Sequence, residues 1–262
     1  MTNDRILVFI PMYNCARQIP RVLARFTPEI QGLFGGALLV NNRSTDSTEN
    51  EALKAARGLS GLKAVVVRNR ENYGLGGSHK VAFDYALANG FTHVVTLHGD
   101  DQGSIEDLIP HLRRGRHREA DCLLGARFLG GSSLEGYSWF RTFGNRVYNG
   151  LFSAVCGRRI YDLGSGLNLY SVRILEDGFY RKFPDDLTFN YCMVMAHSFY
   201  GHKAEFFPIT WREDDQVSNV KLFSQSIKVL RMLAAFTLDK GGFLRRDLRA
   251  GPDRKYLADE VF

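Results

Sequence analysis

Val94 to Leu108 reads VVTLHGDDQGSIEDL. A run of buried-strand character stops at His-Gly-Asp-Asp-Gln, and helical spacing resumes almost at once. Asp, Gly and Ser are ordinary turn and helix-cap residues, and Ser104 followed by Asp107 fits a capping-box-like start with Asp in place of Glu. Capping alone does not require His98, Asp100 and Gln102 on one side of a turn. The stretch supports a structural and a functional meaning, and the rest of the chain decides between them.

Outward from this stretch, short apolar runs alternate with helical periodicity. RILVFI (5–10), ALLVN (37–41), KAVVV (63–67), HVVTL (93–97) and CLLGA (122–126) predict strands buried on both faces. Residues 16–26, 46–57, 78–89 and 105–114 carry apolar positions at helical spacing. This alternation predicts an α/β domain: a Rossmann-like, mostly parallel sheet flanked by helices, with right-handed crossovers. Ligands in such sheets bind beyond the carboxyl ends of the strands. Those ends are PMYN, NNRSTD, RNRENYG, HGDDQ and GARF, all polar, and they form one rim.

Beyond Arg127 the pattern loosens. Helices are predicted at 139–155 and 186–200, a short strand within 160–170, and a late strand at EFFPITW (205–211). Residues 217–236 form an amphipathic helix whose apolar face includes Val220, Phe223, Ile227, Leu230, Leu233 and Ala234. The chain divides into a domain over 1–216 and a basic amphipathic tail over 217–262.

Charge supports that division. The chain has 262 residues and net charge +6, and Lys221 to Lys255 hold nine Lys or Arg against three Asp. That stretch alone thus equals the whole excess, and the tail suits an anionic membrane surface or packing on the domain. No apolar run approaches the roughly 18 to 20 residues of a membrane span. Met1 leads directly into a strand, without a signal-peptide pattern. Four scattered cysteines form no C-x-x-C pair, which points to reduced thiols and a cytoplasmic setting.

NYGLGGSHK (72–80) misses the P-loop pattern, because His79 precedes Lys80 and Val81 follows it. It also misses the dinucleotide fingerprint, which would follow the first strand. A glycine-rich turn at a helix start still lets backbone approach a ligand closely.

Six motifs occur in order: IPMYN (10–14), VNNRSTDST (40–48), N-x-G-x-G-G (72–77), HGDDQ (98–102), GAR (125–127) and D-x-G-S-G (162–166). In this the chain resembles family 2 glycosyltransferases of GT-A fold, and most closely their dolichyl-phosphate mannose synthase-like branch. The resemblance covers roughly residues 5 to 221. It implies that Asp100, Gln102 and His98 hold a Mg²⁺ or Mn²⁺ ion on the diphosphate of a nucleotide-sugar donor. His98 stands where relatives carry an Asp, and imidazole suits Mn²⁺ better than Mg²⁺. Asp101 replaces an apolar residue, as a second ligand or a helix-start anion. Pro11, Tyr13, Asn14, Asn42, Asn72, Gly74 and Gly77 are implied to line the nucleotide pocket, although Asn41 and Asn42 replace a pair of Asp. Asp46 more simply caps the helix after it.

The resemblance also gives Arg127, Asp162 and Ser165 catalytic places beside Asp100, with Arg127 as a cation for a donor or acceptor phosphate and Asp162 and Ser165 in the acceptor-side motif. Leu167 and Asn168 replace the family's aromatic and Arg there. The implied reaction is an inverting transfer to a polyprenyl phosphate. An already anionic phosphate needs no general base, whereas a saccharide hydroxyl would need a carboxylate such as Glu213, Asp214 or Asp186. A soluble enzyme acting on such a hydroxyl, and a noncatalytic sugar-nucleotide-binding protein, are the alternatives. Nucleic acid is disfavoured by the acidic rim.

Overall fold

β-Branched and aromatic runs become strands where the sequence predicts them, in a computed structural model that describes residues 4–215 and 222–262. The strands are β1 (Ile6–Met12), β2 (Gly36–Asn41), β3 (Ala64–Asn69), β4 (His93–Leu97), β5 (Cys122–Ala126), β6 (Ser133–Glu135), β7 (Leu167–Ser171), β8 (Ala204–Pro208), β9 (Thr210–Arg212) and β10 (Ala258–Glu260). The helices are α1 (Ile19–Ala24), α2 (Pro28–Gln31), α3 (Thr48–Ala56), α4 (Gly74–Ala88), α5 (Ile109–Arg113), α6 (Arg116–Glu119), α7 (Trp139–Cys156), α8 (Phe189–Phe199), α9 (Leu222–Leu238) and α10 (Lys240–Arg245).

Eight strands form one sheet in the order β10-β3-β2-β1-β4-β7-β5-β8, and β6 pairs with β9 in a small parallel ribbon. Alternate side chains feed two cores, one on each face. Leu7, Phe9, Val65 and Val67 pack with α4, α8, α9 and α10, while Ile6, Val8, Ile10 and Val66 pack with α1, α3 and α5. That double burial is why the strands read as continuous apolar runs.

Two strands run against the rest. β10 pairs antiparallel with β3, and β7 enters antiparallel between β4 and β5, with Leu97 opposite Leu167. Because β7 is reversed, the residues before it, 162–166, arrive at the rim where β4 and β5 end. Reversal delivers the second motif to the first.

The tail belongs to the domain. Val229, Met232, Leu233 and Phe236 of α9 and Phe243 and Leu244 of α10 lie in the α4-side core, and β10 completes the sheet edge. Leu233 is thus a core residue, whereas Ile227, Leu230 and Ala234 are exposed. The boundary at 216/217 does not separate two packing units, since an amphipathic face alone does not say what it covers. Val220, Lys221 and the side chain of Phe223 lie outside the described part of the structure.

A buried ion network fixes the end of the chain. Lys80 Nζ donates to the Phe183 carbonyl (2.6 Å), to Asp185 Oδ1 (2.7 Å) and to the Tyr256 hydroxyl (3.0 Å). Arg254 and the Ala250 amide donate to the other Asp185 oxygen. Burial pulls the Lys80 ammonium below its ordinary pKa, against the pull of Asp185.

Candidate active site

β4 ends at Leu97, and the chain turns sharply through His98-Gly99-Asp100-Asp101-Gln102. Asp101 takes a left-handed conformation, φ 61°, which a non-glycine residue holds only when its surroundings enforce it. Here Arg21 Nε donates to Asp101 Oδ2 (2.8 Å) and Arg25 Nη2 to Oδ1 (2.9 Å). Arg21 also grips Asp215 through both terminal nitrogens. The turn's other side is tied down by the Arg212 amide, which donates to the Gln102 carbonyl (2.9 Å). Asp101 is therefore an anchor with both oxygens committed to arginines; the sequence left it open as a ligand. Arg21 and Arg25 went unnoticed in the sequence. Their i, i+4 spacing, on α1 and at its C-terminal cap, does not say what they face.

The clamp leaves Asp100 at the rim, its side chain about one-third exposed. Its Oδ1 accepts from the Gln102 amide (3.2 Å), and Oδ2 lies 3.9 Å from His98 Nδ1. Burial lowers the His98 pKa, Asp100 pulls it upward, and Arg127 pushes it down. The ring is thereby kept neutral, with a lone pair to give. His98 Nε2 is buried and has no hydrogen-bond partner among the described residues. The ring packs on Gly166, where a Cβ would come within 2.9 Å of His98 Cγ, and the His98 amide donates to the Gly166 carbonyl (2.9 Å).

These residues fit a hard divalent cation. Mg²⁺ and Mn²⁺ sites commonly use one or two carboxylates and take the rest from substrate phosphates. Asp100 and Gln102 offer oxygens and His98 a neutral imidazole. Two donors 3.9 Å apart lie within the span that one ion bridges with bonds of about 2.1 Å. Among the described residues no group of three or more His, Cys, Asp and Glu could hold a metal unaided. A donor diphosphate would have to complete the shell.

On the other side of His98, Arg127 at the end of β5 is locked to Asp162. Its Nε, Nη2 and backbone amide donate to the Asp162 carboxylate at 2.8, 2.8 and 2.9 Å. Its guanidinium lies over the rings of Trp211 (4.8 Å), Phe128 (5.2 Å) and Tyr137 (5.8 Å). Burial works against its charge, but Asp162 holds its pKa above the ordinary value. Asp162 thus orients the arginine. Ser165 turns inward, its hydroxyl within bonding distance of the Leu167 carbonyl and Asn168 Oδ1, and so closes the start of β7.

The expected nucleotide residues divide. Tyr13 is exposed at the end of β1, and Asn14, at φ 51°, accepts from the Thr45 amide (2.8 Å). Pro11 sits below them, its carbonyl accepting from the Gly99 amide (3.1 Å). Asn42 is buried and spent internally: its oxygen accepts from Asn69 and the Tyr73 amide, and its nitrogen donates to Asn72. Asn41 likewise bridges Glu49 and the Ser44 amide. Beside it, Arg43, Glu49 and Arg68 help line a cavity of about 340 Å³. Cys15 lies under Gly99, and burial, with Asp100 nearby, pushes its thiol up to about 12.

Gly74 and Gly77 serve a different close approach. A Cβ on Gly74 would meet the Asp185 carbonyl at 2.4 Å, and one on Gly77 would meet Tyr73 Cβ at 2.4 Å. The Gly76 amide donates to that Asp185 carbonyl (2.7 Å). Gly74 admits the chain's own backbone, and Gly77 the side chain of Tyr73. Asp46 supports the start of α3 by accepting from the Thr48 amide, one residue outside the cap position. Ser104 caps a short 3₁₀ turn through the Glu106 amide, while Asp107 turns away to accept from Thr210. Of the acids considered as bases, Glu213 is paired with Arg141 and Asp186 with Lys228.

The family model for glycosyl transferase family 2 matches residues 7–179. The polyprenol monophosphomannose synthase of Mycolicibacterium smegmatis is 27% identical over 178 residues, 66% of this chain and 64% of that protein. The undecaprenyl-phosphate 4-deoxy-4-formamido-L-arabinose transferase of Sodalis glossinidius is 29% identical over 183 residues, 67% of this chain and 52% of its own length. The match therefore spans between half and two-thirds of these relatives. In fold, the chain is similar to glucosyl-3-phosphoglycerate synthase from Mycobacterium tuberculosis in complex with UDP. The TM-score is 0.64 at 16% identity, over 90% of this chain and 80% of that one. The same enzyme is also solved with Mn²⁺, UDP and glucosyl-3-phosphoglycerate.

Proposed function

From the premise that the chain belongs to glycosyl transferase family 2, we propose that it moves a sugar from a nucleotide-sugar donor to a polyprenyl phosphate, with inversion. One observation carries this: the reversed β7 brings 162–166 to the end of β4, so that Gly166 packs on His98 while Asp162 of the same segment holds Arg127. The donor side is Asp100, Gln102 and His98, with Pro11, Tyr13 and Asn14 toward the nucleotide. Asn42, Asn72, Gly74 and Gly77 shape the floor of that pocket through their own hydrogen bonds and packing. A divalent cation bound at Asp100 would supply positive charge to the diphosphate as it leaves. The acceptor side is Arg127, held at a fixed angle by Asp162 and the Ser165 turn, which offers a cation to a phosphate. Two of the three acids that could act as a base, Glu213 and Asp186, are paired with cations, which favours an acceptor that needs no base over a saccharide hydroxyl.

Relatives whose names carry polyprenol and undecaprenyl-phosphate support an acceptor borne by a membrane, which this enzyme would meet from the cytoplasmic side. The association proposed is peripheral, through residues of this chain; no helix of the described residues is long and apolar enough to cross a bilayer. The test is a screen of UDP-, GDP-, dTDP- and CMP-sugars with polyprenyl phosphate and with free saccharides. Transfer to a saccharide hydroxyl, with none to any polyprenyl phosphate, overturns the proposal.

A further inference from the structure

α7 shows an unusual outer face. Trp139, Phe140 and Phe143 are 79%, 65% and 62% exposed, and Val147 and Leu151 are exposed as well. At 100° per residue these five fall within an arc of about 120°. Gly150 lies in the same arc, and a Cβ there would meet nothing. α9 adds a second stripe, with Ile227, Leu230, Ala234 and Leu238 all exposed at spacings of three and four residues. The helices adjoin. The Tyr148 hydroxyl donates to the Ser226 carbonyl (3.4 Å), and just beyond α9, at the start of α10, Lys240 Nζ donates to the Val155 carbonyl (2.9 Å).

Apolar exposure on this scale marks an interaction surface. Its charge indicates the partner. Neither helix contains an Asp or Glu, and Arg146, Lys228 and Arg231 are exposed along them; among the described residues, Asp186 pairs with Lys228 from outside these faces. A second copy packed on this face about a twofold axis would oppose cation to cation. Anionic headgroups would complement it, while aromatic side chains on an amphipathic helix settle at the headgroup boundary.

The inner side of α7 faces the acceptor half of the site. Arg141 pairs with Glu213, the Tyr137 ring lies 4.5 Å from the Arg141 guanidinium and 5.8 Å from that of Arg127, and Asn149 donates to the Tyr161 carbonyl beside Asp162. We propose that the adjoining outer faces of α7 and α9 form the surface that lies on an anionic bilayer, with Trp139, Phe140 and Phe143 inserted. This rests on the polyprenyl-phosphate reading of the acceptor and specifies how the enzyme meets it. Within the basic tail it puts the membrane contact on α9, beside α7, and not on the segment that follows, where Phe243 and Leu244 are buried and Arg249 is paired with Asp247.

The test is sedimentation of the full chain with vesicles of equal parts phosphatidylglycerol and phosphatidylcholine. The wild type should pellet, and W139S/F140S/F143S should bind about tenfold more weakly or worse, since three inserted aromatic side chains are lost. R146E/R231E should lose the preference for anionic over neutral vesicles, and R245E/R246E should bind like the wild type. Unchanged binding by the first variant, or no pelleting of the wild type, overturns the proposal. So does a lipid-free dimer that W139S/F140S/F143S abolishes, which would make the face a contact between copies. Turnover of a short-chain, water-soluble isoprenyl phosphate separates the two readings. That triple variant should keep the wild-type rate there. If the wild type transfers to no isoprenyl phosphate yet still pellets through α7, the acceptor reading fails and the surface stands.

Discussion

Removing the Asp162 side chain strands the Arg127 guanidinium. The pair is almost wholly buried, with side-chain exposures of 11% and 2%, and Asp162 accepts three of the hydrogen bonds that Arg127 donates. Breaking a buried pair from one side costs about 3–5 kcal/mol, because the remaining charge is left desolvated and unpaired. A chain of 262 residues unfolds with an entropy of about 0.5 kcal/mol/K, so each kcal/mol moves the midpoint by about 2 °C. Asp162→Ala should therefore melt about 6–10 °C below the wild type by circular dichroism. Replacing both partners with leucine should recover much of that loss, since a buried ion pair is often matched by apolar residues of similar volume. Asp100→Ala, at the rim, should shift the midpoint by less than about 2 °C. If Asp162→Ala melts within 2 °C of the wild type, or the double leucine variant is no better than the single, the pair does not hold the acceptor side together.

Other expectations follow from the same geometry. Asp101→Gly accepts φ 61° without strain but loses the arginine anchor, so it should weaken nucleoside diphosphate binding in calorimetry less than Asp101→Ala does; equal losses would mean the backbone angle is irrelevant. Gly76→Ala would place a Cβ 2.3 Å from the Pro184 carbonyl and 2.8 Å from Phe189 Cβ, and overpacking against fixed backbone should cost about 1–3 kcal/mol in urea unfolding. His79 and His197 are fully buried, and burial lowers both pKa values to about 3 from the ordinary 6.5. The unfolded chain binds those protons first, so stability is complete above pH 6.5. It should fall on acidification toward pH 3, by about 2.7 kcal/mol per unit where both histidines titrate only in the unfolded state. Loss of that slope in a variant with both histidines replaced by Phe or Leu would confirm their part, and an unchanged slope would refute it.

Strand-helix alternation and the polar strand ends made the parallel core legible, because double burial writes long apolar runs into the sequence. β7 was legible as a strand but not in direction, since Leu167 and Leu169 on one face and Tyr170 on the other look the same either way. β10 was not legible at all: Ala258, Asp259 and Glu260 lack strand character and are ordered by pairing with Val67, Arg68 and Asn69. In the site, His98, Asp100 and Gln102 could be picked out because carboxylate, imidazole and amide crowd one strand end. The clamp on Asp101 could not, for it joins residues 76 to 80 positions apart. The glycines of 74–77 show a related ambiguity. A glycine tells that something approaches closely, and only the fold tells that it is Pro184 and Asp185.

The most direct test is transfer of radiolabelled sugar from the preferred nucleotide-sugar to polyprenyl phosphate, by wild type and Asp100→Ala, with Mn²⁺ and with excess EDTA. Wild type with Mn²⁺ should form labelled lipid, EDTA should abolish it, and Asp100→Ala should be inactive at an unchanged melting midpoint. Labelled lipid formed by folded Asp100→Ala at the wild-type rate, or by the wild type in excess EDTA, would contradict a metal-assisted transfer at the end of β4.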